Sequence, residues 1–494
     1  MMKKIGIVFA CLASLLVLFV LYAILVAPSA APIPDQERHY VISGVRVLDV
    51  EAGSFGPPVS VTIENGLIAA VGSRAEARGG QIIDGGGGFL VPAFWDMHMH
   101  SFQLSPQLHF PLFVANGVTN VRDMMDCPEM QDSLIACVGD KRGWSAEVES
   151  GTLAAPRFVE VSSFYFERDS MTPPEAQARA QIYSERGIDS LKVYNRLSPE
   201  AYQVLGQSAA EFGMRLVGHL PKQVSLTNAV TAGQISFEHG HLFLQQCFGR
   251  AADWRAGKLD DLSPLIVAER MLSDHDSKSC RAHMAAMSEA GAWFVPTHGT
   301  REEDARAADE SFAKDPRLDY LDPLSRWAFG DDQAATVARY PGIRGERALQ
   351  SYFAKGLDLT GKAHQANVGI LVGTDSIIGG FRYHDEMAHL VRAGLSPADV
   401  LRAATIDAAR YAKLDSRSGS IEIGKRADLV LLTSNPLENI EHTRTLKAVW
   451  LAGRLYNREG LDALLAFTKE QAGNPANWVR LLWGFARSNV SGEL

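Results

Sequence analysis

From Leu90 to Ser376 the chain repeats one unit, a short apolar stretch followed by a helical or polar connection. Eight such stretches occur: LVPAFWDMH, GVTNVRDM, RFVEVSSFYF, IDSLKVYN, MRLVGHL, QISFEHGH, AGAWFVPTHGT and ANVGILVGTDS. Short, largely apolar runs that alternate with helices suit a parallel sheet covered by those helices. Eight repeats predict an α/β chain built on a (β/α)8 TIM barrel. The helices are punctuated as such a barrel requires. Ser198 caps and Pro199 opens SPEAYQVLGQSAAEFG. Ser396 and Pro397 start SPADVLRAATIDAARYAKL in the same way, and SLTNAVTAG closes on Gly233.

Both ends of the chain leave this rhythm. HYVISGVRVLDV and VSVTIENGLIAAVG alternate apolar and polar residues, with Asn65-Gly66 as the hairpin turn of the second. GSIEIGKRADLVLL and LKAVWLAGRLYN return to short strands near the other end. These stretches predict a small β-sandwich domain built from both chain ends, residues 36–90 and 420–460, flanking a barrel domain of residues 91–419. Two long charged segments, near 249–290 and 301–362, interrupt the barrel and read as helical insertions over one of its ends. Residues 461–494, with Trp478, Leu481, Leu482, Trp483 and Phe485, read as a docked helical tail.

Residues 1–35 begin with Lys3 and Lys4, run apolar from Ile5 to Ala27 and end in APSAAPIPD. The run has no polar face, so it reads as a signal peptide or a transmembrane anchor helix. Small residues at Ala27, Ser29, Ala30 and Ala31 suit cleavage, whereas roughly 20 apolar residues are enough to span a bilayer. Either reading exports the rest of the chain to the periplasm or the extracellular space, with a membrane tether if the segment is uncleaved. Such a compartment permits disulfides among Cys127, Cys137, Cys247 and Cys280. Pairing of sequence neighbours is the simplest of three connectivities, and buried free thiols are the alternative. Asn489-Val490-Ser491 matches a glycosylation acceptor, meaningful in a eukaryotic host alone. A net charge of -9 argues against nucleic acid as a partner.

In a parallel barrel the working residues sit at the C-terminal ends of the strands. His98 and His100, Asp123, Lys192, His219, His239 and His241, His298 and Asp375 all fall at or near those ends. Singly, each has an ordinary explanation: a hydrogen-bonding histidine, or an aspartate that caps the next helix. Lys192 is less ordinary, because an unpaired ammonium in an apolar strand is costly. Together, imidazoles and a carboxylate suit zinc or a similar divalent ion, which makes water nucleophilic near neutral pH. Asp375 is the natural acceptor for that water's proton.

The chain resembles the amidohydrolase superfamily, in its branch of imidazolonepropionase-like proteins and metal-dependent prolidases or Xaa-Pro dipeptidases. FLVPAFWDMHMHS is similar to that family's x-P-G-x-I-D-x-H-x-H, and NGVTNVRDM to its G-V-T-T-V-R-D. LVGHL, SFEHGH and LVGTDS match its later strand ends, and the segment from His384 to Ile440 its closing block. The resemblance implies two divalent ions, with zinc expected. His98 and His100 would bind the first with Asp375, and His219 and His239 the second. Lys192, carbamylated by CO₂, would bridge them, and a bridging hydroxide would attack a carbonyl. His241 competes with His239 as a ligand, and the family's placement after Glu238 favours His239. Ala93 replaces the family's usual glycine without touching a ligand, and VYNRLS after the lysine departs from the Gly-rich loop of the dipeptidases.

The expected reaction is therefore hydrolysis of a C–N bond in a small amide, dipeptide or cyclic amide, with an amide of a C-terminal Pro or another amino acid as the substrate guess. The alternatives are a lactone, phosphotriester or imidazolone hydrolase at the same site and, in another class, a non-catalytic scaffold. Tyr194, His298, Arg382, Tyr383 and His384 are the residues expected to face substrate, Arg382 gripping a carboxylate. Assembly with copies of itself is compatible with the sequence.

Overall fold

The computed structural model describes residues 2–34, 37–72, 80–128 and 130–490. Met1 and Asp35 of the leader, Ser491 of the glycosylation tripeptide and the end of the tail lie outside them.

Eight parallel strands follow one another around a ring: β1 (Phe94–Met99), β2 (Val118–Asp123), β3 (Arg157–Val161), β4 (Ser190–Leu197), β5 (Arg215–Gly218), β6 (Gln234–Glu238), β7 (Trp293–Val295) and β8 (Gly369–Ile370). Strands β1 to β3 pair in order, as do β4 to β8. A parallel bridge between Ser162 and Ser190 joins β3 to β4, and a short strand, Phe166–Arg168, then pairs with β4. Backbone bonds from Met97 N to Val372 O (2.9 Å) and from Asp375 N to His98 O (2.7 Å) join the segment after β8 to β1. That seam closes the ring.

The predicted punctuation is realised. Ser198 Oγ accepts from Ala201 N at the start of helix Pro199–Glu211, and Ser225 caps Leu226–Thr231 in the same way. Ser396 and Asp399 form a reciprocal capping box at Pro397–Ala403. The charged segments are helical: Ala251–Arg255, Pro264–Ser273 and Ser277–Glu289 in the first, and His298–Ala305, Pro323–Arg339 and Gly342–Gln365 in the second.

Strands from both chain ends lie in one nine-stranded layer. Its order runs Arg454–Asn457, Leu446–Leu451, Leu429–Leu432, Phe89–Pro92, His39–Asp49, Val59–Glu64 and Leu67–Gly72. His39–Asp49 runs parallel to Phe89–Pro92 on one side and antiparallel to Val59–Glu64 on the other. Asn65 and Gly66 both take positive φ, 52° and 82°, as a two-residue hairpin with right-handed twist demands. The two halves share a core in which Tyr40, Ile42 and Ile63 meet Leu429, Leu431 and Trp450. Tyr40 and Trp450 pack edge to face at 6.4 Å.

The tail forms two helices, Arg458–Ala472 and Pro475–Arg487. The second lies along the N-terminal helix Met2–Leu25, and Arg480 Nη2 donates to Val26 O at 2.8 Å. Leu12, Leu15, Leu16 and Leu18 of the N-terminal helix are exposed, whereas the side chains of Lys3 and Lys4 lie outside the described residues. Among the described residues no helix is long and apolar enough to cross a membrane, so the expected anchor helix is not found there.

The cysteines pair as sequence neighbours, Cys127 with Cys137 and Cys247 with Cys280, each with Cα atoms 4.9 Å apart. The second bridge ties the end of helix Leu242–Gln246 to helix Ser277–Glu289, closing a loop with a sequence separation of 33. Replacing Cys247 and Cys280 together by alanine is expected to lower stability by about 3 kcal/mol through added freedom in the unfolded chain. Urea melts of the variant against the parent measure this, and unchanged midpoints would contradict it.

Candidate metal centre

The strand ends bring the predicted ligands to one mouth of the ring. His98 and His100 stand two apart at the end of β1, so both rings project to one side. The seam bond from Asp375 N to His98 O sets the carboxylate beside them. Asp375 Oδ1 lies 3.1 Å from His100 Nε2 and 3.6 Å from His98 Nε2. Among the described residues, His98, His100 and Asp375 form a group whose donor atoms all lie within 4.8 Å of one another, as one ion requires. His219 follows β5 and His239 follows β6, with their Nε2 atoms 2.8 Å apart. Asp375 Oδ2 is 3.8 Å from His239 Nδ1, and Lys192 Nζ, from β4, is 3.5 Å from His98 Nε2.

Most of these rings are held from behind. His98 Nδ1 meets Glu238 Oε2 at 3.1 Å, His219 Nδ1 meets Asn195 Oδ1 at 2.8 Å, and His239 Nδ1 meets Thr297 Oγ1 at 2.8 Å. Holding Nδ1 leaves Nε2 to face inward, the arrangement in which a histidine serves as a metal ligand. Glu238 is fixed in turn by Arg122, which donates to both its oxygens at 2.9 and 3.0 Å. Arg122 is fully buried and also donates to Met97 O, Ser236 Oγ and Tyr411 Oη. Asp96 Oδ1 accepts from the backbone N of His98 and of Thr374, each at 3.0 Å, and so binds the two sides of the seam. Burial pushes the Asp96 carboxyl up to about 7.

Three non-glycine residues at these strand ends adopt the left-handed region: His239 (φ 73°), Thr297 (φ 42°) and Asp375 (φ 48°). Such conformations cost about 1–3 kcal/mol each and persist where surrounding contacts impose them. Burial holds His98, His219 and His239 well below the ordinary histidine range, so all three are neutral and free to donate a lone pair. Burial alone would raise Asp375, but the hydrogen bond to His100 and the nearby Lys192 ammonium outweigh that and hold it ionised. Burial also brings the Lys192 ammonium down to about 8, which enlarges its neutral amine fraction. Neutral imidazoles, an ionised carboxylate and a readily deprotonated amine make a donor set that fits divalent cations.

The residues expected to face substrate divide. Tyr194 is at the mouth: its ring lies 4.1 Å from that of His219 and stacks on Tyr165 at 4.8 Å. The other four are buried. His298 is fully buried and its Nε2 meets Thr360 Oγ1 at 2.9 Å, toward the helix Gly342–Gln365. Arg382 is already paired with Glu302, Glu303 and Asp385 and lies over the Phe312 ring, which leaves it unsuited to gripping a substrate carboxylate. Tyr383 is buried and donates to Trp95 O, and His384 Nδ1 meets Thr443 Oγ1. All three are buried residues of helix Gly379–Arg392. Asp123 is likewise structural, receiving Ser101 Oγ and the buried Lys141 ammonium.

Arg122, Glu238, Asp96 and Asn195 were not singled out from the sequence, although Arg122 and Glu238 flank residues that were. Arg301 was missed as well. It lines a cavity of about 370 Å³ with His241, Trp254, Met271, Tyr352 and Phe353. The His241 ring stacks on that of His239 at 5.6 Å, so the cavity opens against the ligand cluster.

Comparison with known proteins bears on this geometry. A model of the amidohydrolase family matches residues 196–456, more than half of the chain. Adenine deaminase 2 of Agrobacterium fabrum is 36% identical over 95 residues, which cover 19% of this chain and 16% of that protein. Ochratoxinase of Aspergillus niger is 32% identical over 103 residues, 20% of this chain and 22% of that protein. The chain thus spans less than a quarter of the length of these curated relatives. Among solved structures, a bottromycin amidohydrolase superposes with a TM-score of 0.68 at 21% identity, covering 90% of this chain and 93% of that one. A Xaa-Pro dipeptidase with bound methionine gives 0.59 at 17% identity, covering 85% and 100%. At these identities the two structures establish the shared fold.

Two measurements check the electrostatics. Below the ordinary histidine value, about 6.5, the unfolded chain binds protons that the buried imidazoles of the folded chain refuse, so stability falls as pH falls. Asp375 acts in the same direction at lower pH, its contribution being present above the ordinary carboxylate range and lost below it. The Tm of chelator-treated protein is expected to drop steadily from about pH 7 to pH 5, and a flat profile would contradict the buried neutral cluster. Arg122→Met leaves Glu238 buried and unpaired and is expected to cost about 3–5 kcal/mol. Adding Glu238→Gln should recover part of that loss in the same melt.

Proposed function

Because the chain belongs to the amidohydrolase family, we propose that it is a metal-dependent hydrolase of carbon–nitrogen bonds, acting on a small amide, a dipeptide or a cyclic amide. The observation that carries this reading is the inward convergence of His98, His100, His219, His239, Lys192 and Asp375, with three of the rings held at Nδ1. In this reading the ring of eight strands is a (β/α)8 barrel whose C-terminal mouth is the active site.

His98, His100 and Asp375 would hold one divalent ion, His219 and His239 a second, and carbamylated Lys192 would lie between them. Zinc is the metal this donor set favours. When bound, such ions polarise a substrate carbonyl and make water acidic enough to attack it near neutral pH. Asp375 accepts the proton of the attacking water at its carboxylate and returns it to the leaving nitrogen. The lowered Lys192 value supports carbamylation, since the free amine is the form that reacts with CO₂. Glu238 and Arg122 keep His98 oriented throughout. Tyr194 forms one wall of the mouth. Export from the cytoplasm belongs to the same proposal, supported by two disulfides of the kind that persist in oxidising compartments.

Elemental analysis after loading with Zn²⁺ or Mn²⁺ in bicarbonate is expected to find two divalent ions per chain. Fewer than one ion, with no hydrolysis across amides, dipeptides, lactones and phosphotriesters, would overturn the proposal. Lys192→Ala is expected to lose one ion and most activity, and unchanged metal content would refute the bridge. Asp375→Asn is expected to lower kcat by about 10²–10⁴ through loss of proton transfer.

A further inference from the structure

The cavity meets the ligand cluster at His241 and is walled beyond by apolar side chains, with Asp260 and Asp304 also in its lining. At the inner end stand His241, whose ring stacks on His239, and Arg301, in the first turns of the helix that begins just after β7. His241 Nδ1 is buried without a hydrogen-bond partner. Of its five N–H groups, Arg301 spends Nη1 on Asp304 at 2.8 Å and Nε on Thr300 at 3.3 Å. Two polar groups with unused hydrogen-bonding capacity thus stand at the end nearest the reacting atoms. The outer walls come from both helical insertions, Met271 and Val267 on helix Pro264–Ser273 and Tyr352 and Phe353 on helix Gly342–Gln365, with Trp254 beside them.

The size of the cavity carries the argument. Its volume of about 370 Å³ lies within the ~300–1,000 Å³ range of ligand pockets. An apolar cavity of about 150 Å³ already holds a benzene ring. A proline ring, or any single small side chain, would leave most of this space unfilled. Aromatic and aliphatic walls reward burial of apolar surface, and the inner polar pair fixes an oxygen or nitrogen beside the bond to be cut.

We propose that this cavity selects amides carrying a bulky apolar group, multi-ring or long-chain, with a hydrogen-bond acceptor within reach of Arg301, in preference to Xaa-Pro dipeptides. The proposal rests on the hydrolase reading above and names the substrate class of that site. His241 and Arg301 act as substrate-positioning groups, and the two helical insertions set specificity. Such selection appears in kcat/KM, because the buried group contributes to holding the transition state as well as the substrate.

The test compares four probes on the metal-loaded chain: N-acetyl-L-tryptophan, N-(2-naphthoyl)-L-alanine, N-acetyl-L-alanine and L-alanyl-L-proline. At least one bulky probe is expected to exceed both small ones by about tenfold or more in kcat/KM. Met271→Trp, which fills the cavity, is expected to abolish that preference by lowering kcat/KM for the bulky probes about tenfold or more. Val267→Trp, at a less buried position on the same wall, is the second variant should the first fail to fold, with circular dichroism melts checking each. Equal turnover of small and bulky probes, or a preference that survives in folded variants, would overturn the proposal. If no probe is hydrolysed, the hydrolase reading is judged on the metal content and wider substrate panel above. Fluorescence titration of the unloaded chain with N-(2-naphthoyl)-L-alanine then decides the cavity. Saturable binding weakened in both variants upholds it, and no binding overturns it.

Discussion

A guanidinium inside a ring of strands must be fully paired or it will not stay there, and Arg122 meets that condition. Its partners come from several parts of the chain: Met97 O on β1, Ser236 and Glu238 on β6, and Tyr411 on the helix Ile406–Tyr411. A charge so placed is costly to unpair, so a shift of register that broke these bonds would be penalised. The same Glu238 that neutralises Arg122 orients His98. Structural specificity and ligand geometry therefore share one buried ion pair, and neither can drift without the other.

The ring strands were legible because each is a short apolar run ended by a polar residue and separated by capped helices, a pattern with few competing folds. His98 and His100 were legible because a two-residue spacing on a strand shares a face. His219, His239, Lys192 and Asp375 became legible through their order rather than their local sequence. Arg382, Tyr383 and His384 misled for a physical reason. Adjacent residues on a helix differ in direction by a third of a turn or so, and the partners that bury all three, Glu302, Trp95 and Thr443, are distant in sequence. Long-range neutralisation of a polar residue leaves no mark near that residue. Arg301 escaped notice for the converse reason, since it sits in a highly charged run where nothing distinguishes the one arginine that lines a cavity.

The bulky AFW stretch before the first histidines is also explained. Phe94 stacks on Tyr383 at 5.7 Å, and Trp95 packs with Met97, Val295, Leu371 and Tyr411 at the closed end of the ring. Large side chains fill that end, so that the polar residues at the opposite mouth stand on a solid floor. The helical insertions do the complementary work at the mouth, adding walls that the strands cannot supply. The disulfide from Cys247 to Cys280 fastens the first insertion to the segment that carries His239 and His241.

The seam of the ring has a consequence for how the protein is assembled in time. His98 and Asp375 meet through the very backbone bond that joins the last strand to the first, although 277 positions separate them along the chain. Until the C-terminal part of the ring has been synthesised and has docked, His98 and His100 stand without Asp375 beside them. An ion held there as proposed would be captured late and would report closure, its binding free energy clasping the seam. On that proposal the ion would have nowhere to bind before this step, and closing the circle would be what completes its site.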